Sequence, residues 1–195
     1  DTIKTYMIFL QMVEIKQGWG RSAVIRCLFC RRMEEAKVVR HIAEHTLGLS
    51  IYPQKKEPFC RQGEWRDVIK PLLPGDVFVY SEEAYPLQRL LNIDGVLRCL
   101  TYGSEDKEGY LTGKDRQFAL WILENNGISD KLKAVQEGSY VRIVDGLLKD
   151  YNGKVEKIKK QKRMAYLSLK MAGTPLHVWM GYECLAPEQE LPDDP

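Results

Sequence analysis

Two sets of side chains in this sequence could grip a ligand or do chemistry. The first is basic: Lys149, Lys154, Lys157, Lys159, Lys160, Lys162 and Arg163 crowd one stretch, opposed there only by Asp150 and Glu156. Cationic heads at that density neutralise phosphates, so the stretch is expected to bind a polyanion. Tyr151, Tyr166 and His177 lie close in sequence and could stack on unpaired bases, although Tyr166 fits a core equally well. The second set is Cys27-x-x-Cys30 with His41-x-x-x-His45, whose donor types suit zinc. The segment between Cys30 and His41 is shorter than the ~12 residues usual in a Cys₂His₂ finger. Positions 27 and 30 of a strand also point to opposite faces, so these cysteines read as small buried hydrophobes and no metal is expected. The chain contains no GxxxxGK[ST] loop, GxSxG elbow or HExxH helix, and no pair of carboxylates stands out from the solvated acids. Neither an enzyme nor a cofactor is expected.

Composition bounds the partners. The 195 residues are 44% hydrophobic and 29% charged, as in an ordinary globular chain, and the net charge is only +2. That near-balance conceals a contrast: residues 137–187 hold nine Lys and Arg against five Asp and Glu, whereas 188–195 hold four acids and no base. Five cysteines at irregular spacing argue against a disulfide framework and for a reducing compartment, so a cytoplasmic location is expected. No apolar run approaches the ~20 residues of a membrane span. The apolar segment Tyr6 to Val13 lacks the basic leader and small-residue cleavage site of a signal peptide.

The elements that must position the basic set follow from alternation and turn residues. Tyr140 to Val144, a run after Asn152-Gly153 and a third beginning near Met164 read as tightly connected strands of a small barrel. Upstream, Ser22 to Phe29 reads as a largely buried strand. Arg31 to Leu47 reads as a helix with one apolar face at Val38, Val39, Ile42 and Ala43, closed by Gly48. Residues 50–70 are extended and basic with a turn at Gln62-Gly63. In Pro71 to Tyr80, PLLPGDVFVY, two prolines and Gly75 bend the chain into another strand. A short helix bearing Leu87, Leu90 and Leu91, a turn at Asp94-Gly95 and a strand from Val96 to Leu100 complete an antiparallel sheet carrying helices. Gly103 to Gly109 reads as a disordered loop. Thr112 to Asp115 has the spacing of a capping box for a helix through Phe118, Trp121 and Ile122 that Asn126-Gly127 stops. Residues 128–136 read as a polar connection.

The stretch from Gly138 through Gly146, Gly153, Val155 and Ile158 resembles a KOW motif, an apolar strand, a glycine turn, a second glycine and a returning strand. The segments SAVIRCLF, PLLPGDVFVY, IDGV and TGKDRQFALWIL resemble, in that order, an NGN domain, and NGN followed by KOW resembles the NusG family of transcription elongation factors. Two positions depart from the family pattern: the first strand runs into Cys30-Arg31-Arg32-Met33-Glu34, and Asp76 stands where an aromatic is usual. The resemblance covers roughly 21–187 and implies an α+β fold with an NGN-like domain (21–127) and a KOW domain (137–187) of SH3-like barrel type; the polar stretch 128–136 is expected to link them, and an N-terminal extension (1–20) and an acidic tail (188–195) fall outside it. Within the family, the second half is most similar to the specialised antitermination paralogues of the LoaP type. The implied partners are the RNA polymerase clamp region, met by Leu72, Leu73, Pro74 and Phe78, and a nascent RNA hairpin, met by the basic cluster. A monomer with no membrane partner is expected. A general NusG-like factor, or a translation-linked KOW protein whose KOW domain binds a protein, is the alternative.

Overall fold

The computed structural model describes residues 23–45, 47–137, 140–145, 154–171 and 173–185. The fold is α+β. In chain order the elements are β1 (Val24–Cys30), α1 (Glu35–Glu44), β2 (Leu49–Ile51), β3 (Gln54–Arg61), β4 (Glu64–Pro71) and β5 (Asp76–Ser81). There follow α2 (Gln88–Leu91), β6 (Val96–Cys99), α3 (Gly113–Glu124), β7 (Ile128–Ser129), β8 (Leu132–Glu137) and β9 (Tyr140–Asp145). The last are β10 (Lys154–Lys159), a 3₁₀ turn (Lys160–Lys162), β11 (Met164–Met171) and β12 (Thr174–Cys184). They divide into two compact units, one drawn mainly from within 1–55 and 71–129, the other from 56–70, 130–170 and 175–195.

The first unit is organised by an antiparallel sheet of order β2-β5-β1-β6. Its two central strands are apolar on both faces, which is why helices cover both. In register, Leu28 lies opposite Val77 and turns with Cys30, Val79 and Cys99 toward Val38 and Ile42 of α1. Cys27 lies opposite Phe78 on the other face, where the Phe78 ring is 6.1 Å from Phe118 of α3 and the Tyr80 hydroxyl donates to the Ala119 carbonyl at 2.7 Å. Each such buried apolar side chain contributes roughly 1.5–3 kcal/mol. The expected closure of α1 by Gly48 is corrected: the helix ends at Glu44 with His45 as its C-cap, and Gly48, with φ +118°, is required by its approach to β5, because a Cβ there would lie 2.3 Å from the Tyr80 carbonyl oxygen.

Several polar groups inside this unit are held by named partners, although among the described residues Arg26 Nη1 and Glu34 Oε2 are buried without a hydrogen bond. Arg26 is 1% exposed, its guanidinium 5.0 Å from the Tyr85 ring centre and 4.6 Å from that of Tyr110. It donates to the carbonyls of Glu108 at 2.9 Å and Tyr85 at 2.7 Å. Glu35 is buried and accepts the Gly75 amide at 2.7 Å. Burial pushes the Asp76 carboxyl up to about 7, Arg98 working against that rise and Glu35 adding to it.

Three further local expectations are corrected. Residues 103–109 form an ordered loop, because the Asp106 carboxylate accepts the amides of Tyr102, Glu108 and Gly109. Thr112 is the N-cap residue of α3 but makes no side-chain cap, and Asp115 accepts the Tyr102 hydroxyl at 2.7 Å. The stretch expected to be a polar connection contains β7 and β8, and β8 buries Leu132 and Ala134.

The second unit carries a five-stranded sheet of order β10-β11-β12-β8-β9. Strand β8 runs parallel to β12 and antiparallel to β9. One face buries Leu132, Ala134, Ala165, Leu167, Val178, Met180 and Tyr182. The β3–β4 hairpin turns at Gln62 (φ 55°) and Gly63 (φ 84°), the doubly positive pair that suits a right-twisted ribbon. Its Pro58 packs so closely on Gly181 that a Cβ at 181 would lie 2.4 Å from the proline Cδ. No helix among the described residues is long and apolar enough to cross a membrane.

Candidate nucleic-acid interface

Strand β10 reads Lys154-Val155-Glu156-Lys157-Ile158-Lys159, and simple alternation would put Lys154 on the face opposite Lys157 and Lys159. The structure does otherwise. Lys154 pairs with Ser168, Val155 with Leu167, Lys157 with Tyr166, Ile158 with Ala165 and Lys159 with Met164, with a register shift between Val155 and Lys157. Glu156 is the extra residue of a β-bulge, and it resets the alternation so that all three lysines share the Tyr166 face. All three are exposed, and among the described residues β10 is an edge of its sheet.

Behind the lysines lies a row of rings. Tyr166 and His177 stack with centroids 5.5 Å apart and planes 11° from parallel, and Tyr166 meets Trp179 at 4.8 Å with a 41° tilt. The Lys159 ammonium sits 4.1 Å from the Trp179 ring centre, a cation–π contact. His177 Nε2 is 3.4 Å from a Glu156 carboxylate oxygen, so the extruded acid of the bulge faces the ring row. Sequence reasoning named Tyr166 and His177 and missed Trp179. The alternation Leu176-His177-Val178-Trp179-Met180, with Val178 and Met180 buried, is the signal that puts Trp179 beside His177.

The rest of the basic cluster divides. Lys160 and Lys162 are exposed on the 3₁₀ turn that follows β10. Arg163 adopts a left-handed backbone conformation (φ 51°), and its guanidinium lies 4.4 Å from the Trp65 ring centre. Trp65 and Arg163 line a cleft of about 230 Å³ with Pro58, Asp67, Lys131 and Glu183. Inside it Lys131 bridges Asp67 at 2.9 Å and Glu183 at 3.3 Å. Lys149, Tyr151, the N-terminal extension and the acidic tail lie outside the described residues.

The apolar set in the first unit is placed differently from the basic one. Leu72, Leu73 and Phe78 are buried and Pro74 is exposed. The Leu72 amide donates to the Pro53 carbonyl at 2.8 Å and the Asp76 amide to the Leu73 carbonyl at 3.1 Å, which pins the bend. The large apolar side chains most open to solvent in this unit are Met33, 92% exposed, and Leu97, 64% exposed on edge strand β6. Cys27 and Cys30 are buried on opposite sides of β1, and burial raises both thiols, Cys30 to about 12. His41 and His45 stack on one another at 4.0 Å.

No family model matches the chain. Among curated proteins it is similar to the transcription termination/antitermination protein NusG of Pseudomonas aeruginosa, 25% identical over 69% of this chain and 78% of that protein. It is likewise similar to the NusG of Vibrio cholerae, 28% identical over 72% of this chain and 79% of that one. Among solved structures, one described as domain interaction in Thermotoga maritima NusG aligns with a TM-score of 0.47 at 15% identity, covering 83% of this chain and 95% of that one.

Proposed function

We infer that this chain is a NusG-like transcription elongation and antitermination factor, of the specialised LoaP-like kind, whose KOW-like half (137–187) grips a hairpin in nascent RNA. The observation that carries the reading is the β10 bulge, which gathers Lys154, Lys157 and Lys159 on one exposed face, continued by Lys160 and Lys162 on the adjoining turn. Lysines on a common face neutralise successive phosphates, and the bulk of the affinity is expected from that source. The similarity to NusG proteins supplies the setting, RNA polymerase, with the NGN-like half (21–127) binding the clamp region. There Pro74 is the exposed member of its set, and Leu72, Leu73 and Phe78 support it from within the core.

Two attachments to one elongating complex raise each other's effective concentration, so a modest RNA affinity suffices. A factor that binds the clamp better in its closed state than in its paused state shifts the population toward elongation without a chemical step.

Replacing Lys157, Lys159, Lys160 and Lys162 together by Ala tests the RNA half. Hairpin affinity is expected to fall at least tenfold, and the slope of log affinity against log salt to drop by about 0.9 for each duplex phosphate that is no longer neutralised. Unchanged affinity and slope overturn it. A second reading, a general NusG-like factor whose barrel binds a protein, draws on one observation: β10 is an edge strand with Val155 38% exposed, which suits strand addition. Tight binding of the chain to a protein partner, with no measurable RNA affinity, decides for that reading.

A further inference from the structure

Resting on the RNA reading above, we propose that the outer face of β10–β11–β12 is a site for unpaired nucleotides, where Tyr166, His177 and Trp179 receive bases and Lys154, Lys157 and Lys159 hold the adjoining phosphates. A double helix offers a protein its backbone and groove edges, and a surface built only for that needs cations and no rings. Here the cations border a row of three rings on two neighbouring strands, with contacts of 5.5 Å and 4.8 Å between them.

The burial pattern makes this a ligand face. Across the same strands the inward side chains Ala165, Leu167, Val178 and Met180 are at most 6% exposed and form the core. His177 on the outer face is exposed, and Tyr166 and Trp179 are half-buried. An outward aromatic row contributes little to a core already closed on the other side. It does leave aromatic surface partly open to solvent, and base-on-ring stacking is tolerant of sequence and contributes strongly to each nucleotide held.

The cations are spaced to match. Lys157 and Lys159 are two residues apart on one strand, hence about 6.7 Å along it, an interval comparable to that between neighbouring phosphates of an extended single strand. Lys159, resting over Trp179, links the two functions: the ammonium that would meet a phosphate also covers the ring next to it. The ligand class is therefore single-stranded RNA, such as the loop or flank of a hairpin, and the stem is held by the remaining lysines.

The test uses the full chain with two probes, a labelled short oligouridylate and an RNA duplex without unpaired ends, titrated at several salt concentrations. His177→Ala removes an exposed ring and leaves the core intact. Trp179→Ala removes the largest ring, and Trp179→Phe, with circular dichroism as the folding control, keeps the site testable should the alanine variant unfold. The expected result is a loss of at least fivefold in oligouridylate affinity for His177→Ala and for Trp179→Ala, partial recovery in Trp179→Phe, an unchanged salt slope and unchanged duplex affinity. Equal losses on both probes, or no loss on either, overturn the inference. A chain that binds duplex and ignores oligouridylate also overturns it while leaving the RNA reading standing. A chain that binds neither overturns both.

Discussion

The two larger sheets of this molecule treat polar side chains in opposite ways. In the sheet built on β1 and β5, both faces are covered, and the charged groups that enter it are enclosed with partners: Arg26 between two tyrosines, Glu35 on a backbone amide, Asp76 beside Arg98. In the sheet of β10, β11 and β12 one face is core, and the other carries exposed lysines beside aromatic rings. A polar group inside the first sheet is part of what makes it fold or fail. Lys154 and Lys157 on the second are exposed on its edge strand, where substitution is expected to cost the fold little. Charge counted along the sequence cannot separate these cases, whereas burial does.

The largest effect that could break this comparison is expected at Asp76. Its folded value of about 7 stands above the ordinary 3.8, so the neutral form favours the fold. That contribution is complete below about pH 4 and is lost as pH rises through about 7, a change of up to ~4 kcal/mol at 1.36 kcal/mol per unit. Asp76→Asn, followed by urea denaturation from pH 4 to 8, should flatten that part of the profile and exceed the parent's stability at pH 8. A variant with the parent's full pH dependence shows that Asp76 is not enclosed as described.

Next in size is Arg26. Truncation to Ala leaves the partly buried carbonyls of Glu108 and Tyr85 without their donor and a cavity between two rings, for roughly 3 kcal/mol in chemical denaturation. Arg26→Met should cost less than the alanine variant, since it fills the space and removes the buried Nη1 that has no hydrogen-bond partner among the described residues. The smallest effect is expected on the other sheet: Lys157→Ala should change stability by less than about 0.5 kcal/mol while lowering RNA affinity. A stability loss there as large as that of Arg26→Ala collapses the distinction between the sheets.

Much of the fold was legible because its punctuation is local. Gly48, Gln62-Gly63 and Asn126-Gly127 lie in the left-handed region, as their residue types suggest. What escaped depended on partners distant in the chain. Strand β8 looked polar because Lys131, Lys133 and Gln136 surround Leu132 and Ala134, and only its pairing with β9 and β12 reveals the buried pair. Leu72, Leu73 and Phe78 were legible as apolar, but which of them faces water is decided by packing, and it buries all three. Arg163 counted with the lysines by charge, and its guanidinium lies over Trp65, a residue nearly a hundred positions earlier in the chain, a contact that charge alone does not announce.

The bulge at Glu156 also makes β10 tolerant of a change in length. With Glu156 removed the strand would read Lys-Val-Lys-Ile-Lys, an uninterrupted alternation in which each remaining side chain keeps the face it has now. An indel in mid-strand ordinarily inverts everything on one side of it; at this position it would excise one acid and leave the lysine ledge in place. Relatives could thus differ by a residue here and share the same footprint, and a gap placed anywhere else in β10 would misassign which lysines belong to it.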